Sequence, residues 1–437
     1  MNMKKLSGVF FALLLLNVLV ISQEVKVSVD FSIENFYSEK INGESNVFDS
    51  HKLTAFSQEL FRYLRIVGKK NSIDFVENSK AEDIYTRFII YFKYDDSDNS
   101  MKVECFQDKE VIFEANGKID SDSDIERIIK NLSTRLLERI SIIRLRFKDF
   151  DGMLRLTFEE AIDEYPSFSA DGSLLAFISD RDTGNRDIYI LDLNRMYVKR
   201  NSLAGSSEYF PRISSDNSKL VFQSTRGGKW GIWIQDMSEL SDPESLKNIP
   251  VSGNSYTPNC GEDGVYFVQE EKGNTDIFFY EFLTEKVYKI LESNEEEFSP
   301  YPSHMGIVFV RVKNDGDSGI YLLTSTGETK LLEDSPFNEF DPLVTEDDQW
   351  LIFSSNRDGV YRLWLKNLKS GVVYKLTTQE DGDAFYPTIK DDIVIFSMYS
   401  KGEPDLWALS INKYREIERR KNNLVDKIEK MFKLIKN

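Results

Sequence analysis

Few side chains in this sequence could act as metal ligands, nucleophiles or general bases. The 437 residues include two histidines and two cysteines, which are His51, His304, Cys105 and Cys260. This composition excludes disulfide scaffolds, cysteine-based zinc sites and multi-histidine metal centres, and we expect both thiols to be unpaired. The sequence has no G-x-S-x-G nucleophile motif, and neither histidine has a Ser and Asp set suited to a triad. We predict that the protein is not an enzyme and holds no metal or other cofactor.

The charged residues give the chain a strongly negative balance. Lys and Arg number 55 and Asp and Glu 73, for a net charge of −18. This is the wrong sign for a protein that binds phosphate backbones, so we expect no nucleic-acid partner. The stretch 314–319 (NDGDSG) is similar to a calcium loop but lacks the downstream Glu. We interpret it as a solvated turn.

A segment with an aromatic residue near a proline, a turn and three strand patterns recurs six times between residues 151 and 412. Its anchoring prolines are Pro166, Pro211, Pro258, Pro302, Pro342 and Pro387. A period of roughly 40 to 50 residues with three or four short strands is typical of a β-propeller blade. The sequence therefore predicts a mainly β protein with a six-bladed β-propeller over residues 151–412.

Ring closure is predicted from the fourth, outer strands. Five of them follow the first five copies, at Val198–Leu203, Lys247–Val251, Lys286–Leu291, Thr329–Glu333 and Val372–Thr377. The last copy lacks one, while Met153–Thr157 stands ahead of the first copy. We expect Met153–Thr157 to pair with the last blade, because closure protects strand edges that would otherwise pair with another chain.

Acidic residues cluster where the chain enters the first strand of each copy. In a propeller these entry segments gather on one face around the channel, so their fields add and favour a cationic partner surface. An ordinary solvated acidic rim is the alternative. Arg181, Arg226 and Arg357, at the S-x-R position of three copies, either face a ligand or, as we prefer, bridge neighbouring blades through an Asp. The candidate partner-binding residues are Asp163, Glu164, Glu208, Glu297, Glu339, Asp341 and Asp383.

Residues 1–22 have the pattern of a secretory signal peptide. Lys4 and Lys5 precede an apolar run from Val9 to Ile21. That run is shorter than the roughly 18 to 20 residues of a bilayer span, so we expect export to the periplasm and a soluble, non-spanning mature protein beginning near Gln23. From residue 23 to 150, alternating strand and helix patterns predict a small α/β domain with a sheet packed by two helices.

Residues 413–437 form a basic amphipathic pattern that predicts a C-terminal helix. The segment has nine basic and four acidic residues, for a net charge of +5. Its apolar residues Ile417, Leu424, Ile428, Met431 and Ile435 share one helical stripe. The stripe docks on the protein's own surface, or it contacts a partner helix or an anionic membrane.

The blade motif resembles the PD40, or TolB-type, variant of WD-like repeats, and the opening EVKVSVD at Glu24–Asp30 is similar to the start of TolB-family proteins. The resemblance covers about residues 23–412 and implies a non-catalytic periplasmic scaffold of the Tol-Pal system. Its propeller would bind a Pal-type peptidoglycan-associated lipoprotein, and its mature N terminus would bind inner-membrane Tol proteins. The residues implied in the second contact are Glu24, Val25, Lys26, Val27, Val29 and Asp30. The alternatives are an exported adaptor outside the Tol-Pal system and an enzyme with its site in the channel.

Overall fold

The computed structural model describes residues 25–33, 50–70, 73–77, 86–95, 100–107, 110–118 and 121–436, apart from 183, 202–205, 241, 314–315, 379–381 and 401. The predicted signal peptide, residues 1–22, lies outside these residues. The chain divides into two compact units, with Leu136–Phe147 and the residues from Leu154 onward forming the second. Each unit has its own core of buried apolar residues.

The first unit is built on one five-stranded sheet with the order β2-β1-β3-β4-β5. Its elements are β1 Val25–Ile33, α1 Ser50–Lys70, β2 Ile73–Glu77, β3 Thr86–Asp95, β4 Ser100–Gln107, β5 Glu110–Lys118 and the start of α2 Asp122–Arg146. Strand β1 runs parallel to both β2 and β3, as a strand–helix–strand unit requires. At Gly68 of α1 an added Cβ would lie 2.6 Å from the Phe75 ring, so the helix packs closely on β2. The predicted α/β region is confirmed.

The second unit is a six-bladed β-propeller, as the repeats predict, and each blade is a four-stranded antiparallel sheet. The first strands of the unit are β6 Met153–Arg155, β7 Asp163–Phe168, β8 Leu174–Ser179, β9 Asp187–Asp192, β10 Tyr197–Asn201, β11 Glu208–Ile213, β12 Lys219–Ser224, β13 Gly231–Asp236, β14 Lys247–Asn248, β15 Ser255–Cys260, β16 Gly264–Glu271, β17 Asn274–Glu281 and β18 Val287–Leu291. They are followed by β19 Glu296–Ser303, β20 Gly306–Val312, β21 Ser318–Leu323, β22 Thr329–Glu333, β23 Glu339–Val344, β24 Trp350–Ser355, β25 Arg362–Asn367, β26 Val373–Lys375, β27 Asp383–Lys390, β28 Ile393–Tyr399 and β29 Asp405–Ser410.

The ring closes through β6, which is the outer strand of blade six in the order β27-β28-β29-β6. The backbone N–H of Leu156 donates to the carbonyl of Leu406 at 2.8 Å. The hydroxyl of Thr157 accepts from the N–H of Leu406 at 2.9 Å. Arg155 adds an ion pair to Asp405 at 2.7 Å. The predicted closure by the N-terminal strand is therefore confirmed.

A bulge at an X-Pro pair interrupts the inner strand of every blade. The residue before the proline has a positive φ, between 46° and 54°, at Tyr165, Phe210, Thr257, Ser299, Asp341 and Tyr386. Blade four therefore uses Ser299-Pro300, and the prediction of Pro302 as its anchor is wrong by two residues. Blade four contains two X-Pro pairs, and the aromatic residue before Pro302 selected the second one, whereas the shift in ladder register falls between Phe298 and Tyr301.

The bulges also link neighbouring blades. At four of them the N–H of the residue before the proline donates to a side chain of the preceding blade. These bonds are Tyr165 to Ser397 at 3.2 Å, Thr257 to Gln223 at 3.0 Å, Ser299 to Thr257 at 3.3 Å and Tyr386 to Asp341 at 3.1 Å. A buried N–H left without an acceptor is costly, so these side chains stabilise the ring as well as the strand.

Helix α3, Asn412–Lys436, follows the last blade. Its first turns dock on the propeller, where the Tyr414 ring lies 5.1 Å from Tyr374 and Glu418 accepts a hydrogen bond from the Tyr374 hydroxyl. Arg415 pairs with Asp347 at 2.6 Å. The start of the helix is therefore docked on the protein's own surface through these polar and aromatic side chains. Ile417 of the predicted apolar stripe is 42% exposed, so the contact made by the stripe itself stays a prediction. Leu424 is 55% exposed, and the side chains after residue 425 lie outside the described set.

Candidate functional site

The first residue of the inner strand has the same environment in three blades. In the antiparallel register each acidic residue lies opposite a serine, in the pairs Asp163 with Ser179, Glu208 with Ser224 and Glu339 with Ser355. The arginine two residues after the serine turns back onto the carboxylate. The N–O distances are 3.0 Å for Arg181–Asp163, 2.7 Å for Arg226–Glu208 and 2.8 Å for Arg357–Glu339.

Blade four makes the same ion pair with different residues. Glu297 lies opposite Arg311 itself, and the arginine Nε is 2.9 Å from the carboxylate. Blades three and six have other pairs at this position, Ser255 with Gln269 and Ala384 with Met398. Asp383 lies one residue before this position, and its carboxylate accepts the N–H of Tyr361 at 2.9 Å. Arg311 was not predicted, although its position in the repeat frame could have revealed it.

Burial changes the interpretation of the acidic rim. Asp163, Glu208, Glu297 and Glu339 are each 0% exposed, so they present no free carboxylate at the surface. The predicted bridge through an Asp to a neighbouring blade is corrected for these pairs, because Arg181 and Arg226 hold carboxylates of their own blades. Arg357 also lies 2.8 Å from Glu333 of blade four, so it does join two blades, through a Glu. Contact of the acidic candidates with a partner stays a prediction.

Burial also raises the pKa of these carboxyl groups. The pKa of Glu208 rises to about 7 because desolvation outweighs its bonds to Arg226 and Ser206. Burial also raises the pKa of Asp163, Glu297 and Glu339, although the arginine paired with each of them acts to lower it. These groups therefore take up protons more readily in the folded protein than in the unfolded chain.

The residue directly before the positive-φ residue of the bulge is aromatic in five blades. We call these residues, with two that precede third strands, the aromatic face: Tyr209, Tyr256, Phe298, Phe340, Phe385, Trp230 and Tyr361. All of them are partly exposed. The Trp230 ring lies 5.4 Å from Tyr209 and 6.4 Å from Tyr256, so it joins blades two and three. The repeat pattern placed an aromatic residue near each proline, but it did not predict that aromatic side chains form a surface.

Blade one breaks this aromatic pattern with Glu164. Its carboxylate accepts a hydrogen bond from the hydroxyl of Tyr399 and forms an ion pair with Arg186 at 3.2 Å. The Arg186 guanidinium in turn lies 5.4 Å from the centre of the Tyr209 ring. Glu164 is 4% exposed, so it supports the aromatic face from beneath.

The channel of the propeller is closed at one end and open at the other. Tyr165, Phe210 and Tyr386 close it, with the Tyr165 ring 4.3 Å from each of the other two. Beyond them lies a cavity of about 230 Å³ lined by all six inner strands. It opens between the turns after those strands, where Ser215 is exposed. Asp341, predicted as part of the acidic rim, lines this cavity instead.

The predicted N-terminal binding segment is an internal strand. Glu24 lies outside the described residues, while Val25, Lys26, Val27, Val29 and Asp30 belong to β1. Both edges of this strand are paired, and Val27 and Val29 are 0% exposed. The side chain of Lys26 is exposed. The described part of this segment is therefore a central strand of a sheet, and its contact with a partner stays a prediction.

Among the described residues, no group of three or more His, Cys, Asp or Glu side chains is arranged to hold a metal ion. Residues 314 and 315 of the predicted solvated turn lie outside this set. Within the described ranges, no helix combines the length and the apolar character needed to cross a bilayer. Both Cys105 and Cys260 are free thiols, as expected.

No protein-family profile and no curated protein matches the sequence. Solved structures are similar in fold. A protein assigned as TolB from Agrobacterium tumefaciens has a TM-score of 0.45 at 16% identity, over 57% of this chain and 91% of its own. TolB from Acinetobacter baumannii has a TM-score of 0.42 at 15% identity, over 89% and 94%. An oligogalacturonate lyase from Vibrio parahaemolyticus has a TM-score of 0.42 at 18% identity, over 59% and 93%. The similarity describes the fold alone.

Proposed function

We propose that this protein is an exported, non-catalytic scaffold of the Tol-Pal type whose propeller binds a Pal-type lipoprotein. The observation that carries the proposal is the aromatic face. Partly exposed tyrosine and tryptophan side chains held on a rigid scaffold are typical of the centre of protein–protein interfaces. The PD40-type blades and the EVKVSVD opening support the Tol-Pal assignment, and the pattern of residues 1–22 supports export to the periplasm.

Inner-membrane Tol proteins are the second proposed partner, bound through Glu24–Asp30. Because Val27 and Val29 are in the core of the sheet, the contact would use Lys26 or the residues before β1. Deleting the whole segment would remove a central strand and so would not separate binding from folding. The substitution Lys26→Glu tests the contact while leaving the buried valines in place.

The experiment is a binding titration of the mature protein, from Gln23 onward, with the soluble domain of the Pal-type lipoprotein from the same cell. Tyr209→Ala and Tyr256→Ala should each weaken binding by about ten-fold or more. The matched controls are Tyr197→Ala and Tyr288→Ala on outer strands, where the tyrosines are 63% and 43% exposed. Binding that is absent, or equal in all four variants, contradicts the proposal. Capture of a different envelope protein through the same tyrosines would favour an adaptor outside the Tol-Pal system.

A further inference from the structure

Two basic residues line the channel cavity, and their surroundings differ. Lys390 lies at the open end and pairs with Glu346 at 2.7 Å. Arg212, on β11, donates from Nη1 to the carbonyl of Pro211 at 2.9 Å. Arg212 has no carboxylate within the 4.0 Å ion-pair distance among the residues that the structure describes. A guanidinium has five N–H donors, so one carbonyl leaves most of its capacity unused.

Three other arginines of the propeller are paired with carboxylates that belong to inner strands. Arg226, Arg311 and Arg357 all have acidic partners at 2.9 Å or less. Burial lowers the pKa of Arg212, and attraction to Cys260, Asp341 and Tyr301 does not offset it. By contrast, the pKa of Arg200 is raised through its bond to Asp187, although burial acts against it. Asp341 lines the same cavity, but it forms no direct ion pair with Arg212, so the guanidinium keeps donors with which an external anion can complete the site.

The charged and titratable groups around Arg212 come from the facing inner strands. They are Cys260 of β15, Tyr301 of β19, Asp341 of β23 and Tyr386 of β27. Burial raises the pKa of Cys260 and of Tyr301 to about 12, so both are neutral near pH 7. Burial raises the pKa of Asp341 to about 6, against the bond from the Tyr386 N–H and the charge of Arg212. The Glu346–Lys390 pair at the open end adds no net charge. The cavity therefore carries a net positive charge once Asp341 is protonated.

We propose that the channel cavity is a binding site for a carboxylate group, with Arg212 as the residue that pairs with it. The planar fork of a guanidinium matches a carboxylate in a bidentate geometry. A singly charged carboxylate suits the site better than a phosphate dianion, because Asp341 lies nearby. The carboxylate belongs to a small free molecule or to a residue of a bound protein that reaches into the open end.

The experiment is a calorimetric titration of the mature protein with sodium acetate, at constant ionic strength, with ethylammonium chloride as the cationic control. We expect saturable acetate binding that is several-fold tighter at pH 5.5 than at pH 7.5. Arg212→Gln should weaken it by about ten-fold or more. Arg195→Gln is the matched control, since that side chain is 85% exposed, and should bind as the unaltered protein does.

A second variant keeps the test decisive if Arg212→Gln fails to fold. Asp341→Asn keeps an oxygen to accept the Tyr386 N–H but removes the charge, so it should bind acetate more tightly at pH 7.5 and lose the pH dependence. No saturable binding at either pH, or an unchanged affinity in both cavity variants, overturns the proposal. Tyr209→Ala should leave acetate binding unchanged, which separates this site from the aromatic face. If acetate inhibits the binding of a partner protein to the mature protein, the carboxylate belongs to that partner. If partner binding is unchanged by acetate, the carboxylate belongs to a free molecule.

Discussion

The Nη2 atom of Arg181 lies 3.0 Å from each carboxylate oxygen of Asp163. Asp163 is 0% exposed, and the arginine side chain is 4% exposed, so the pair is shielded from water. Glu138 of α2 lies 3.5 Å from the same guanidinium and adds a second negative charge. The pair fixes the start of the inner strand of blade one.

Removing one partner of this pair should be strongly destabilising. Arg181→Met leaves Asp163 buried without its cation and should lower the free energy of unfolding by about 3 to 5 kcal/mol. The double variant with Asp163→Asn should recover part of the loss, because no charge then remains unpaired. Urea unfolding measures both values. Arg195→Met, at an 85% exposed side chain, should cost less than about 0.5 kcal/mol. Equal losses of unfolding free energy in Arg181→Met and Arg195→Met would contradict the expectation.

The stability of the propeller should rise as the pH falls from about 7 to about 5. Carboxyl groups with a raised pKa bind more protons in the folded state, so protonation favours folding, as for Glu208 at about 7 and Asp405 at about 6. The gain should be on the order of 2 kcal/mol in thermal or urea unfolding. Below about pH 4 the trend should reverse, because hydrogen bonds from Ser214 and Ser218 lower the pKa of Asp216 to about 2. Glu208→Gln should reduce the gain in stability between pH 7 and pH 5. A free energy of unfolding that falls steadily as the pH is lowered from 7.5 would refute this prediction.

The hydroxyl of Thr157 should contribute measurably to ring closure. Thr157→Val removes the acceptor of the buried Leu406 N–H and should lower the free energy of unfolding by about 1 to 3 kcal/mol. Hydrogen exchange should show the loss first at Leu406, with the opposite side of the ring unaffected. Thr326→Val, at an exposed turn, is the control and should change little. Protection at Leu406 that is unchanged in Thr157→Val would exclude this role.

The docking of α3 should depend on Arg415. This side chain lies 2.6 Å from Asp347 and 2.8 Å from Asp392, so it joins the helix to blades five and six. Arg415→Ala should speed amide exchange in the first turns of α3, while the propeller loses less than about 1 kcal/mol because the pairs are partly exposed. Arg420→Ala, at a 78% exposed side chain, should leave exchange unchanged. Identical exchange in the two variants would show that Tyr414 and Glu418 hold the helix without Arg415.

The fold could be predicted because its determinants repeat. Proline spacing, the turn that recurs in the copies, and the lone strand before the first copy together indicated the ring and its closure. The prediction of the anchoring proline was wrong in blade four because that blade contains two X-Pro pairs. Only the backbone register shows that the bulge forms at Ser299. Sequence patterns report residue types, whereas the choice between two similar turns depends on tertiary packing.

The candidate site was harder to predict from the sequence than the fold. Acidic residues at strand entries suggested an exposed rim, but the S-x-R arginines return to the same carboxylates and bury them. That return needs the register of the two strands, which places Ser179 opposite Asp163. Arg212 was not predicted because nothing in its local pattern marks it. That no carboxylate in the described part of the chain pairs with it becomes visible only when six inner strands surround it. Residues that act through a partner far along the chain give no local signal.

The strand that closes the ring also determines when the ring can form. Thr157 and Leu406 are 249 residues apart. The strand that closes the ring therefore cannot pair with the last blade until almost the whole chain has been synthesised. Pairing over such separations is slow, and unpaired strand edges invite wrong partners in the meantime. A nascent propeller of this design therefore passes through a long open stage. During that stage, chaperones and proteases compete for an edge that the mature protein never exposes.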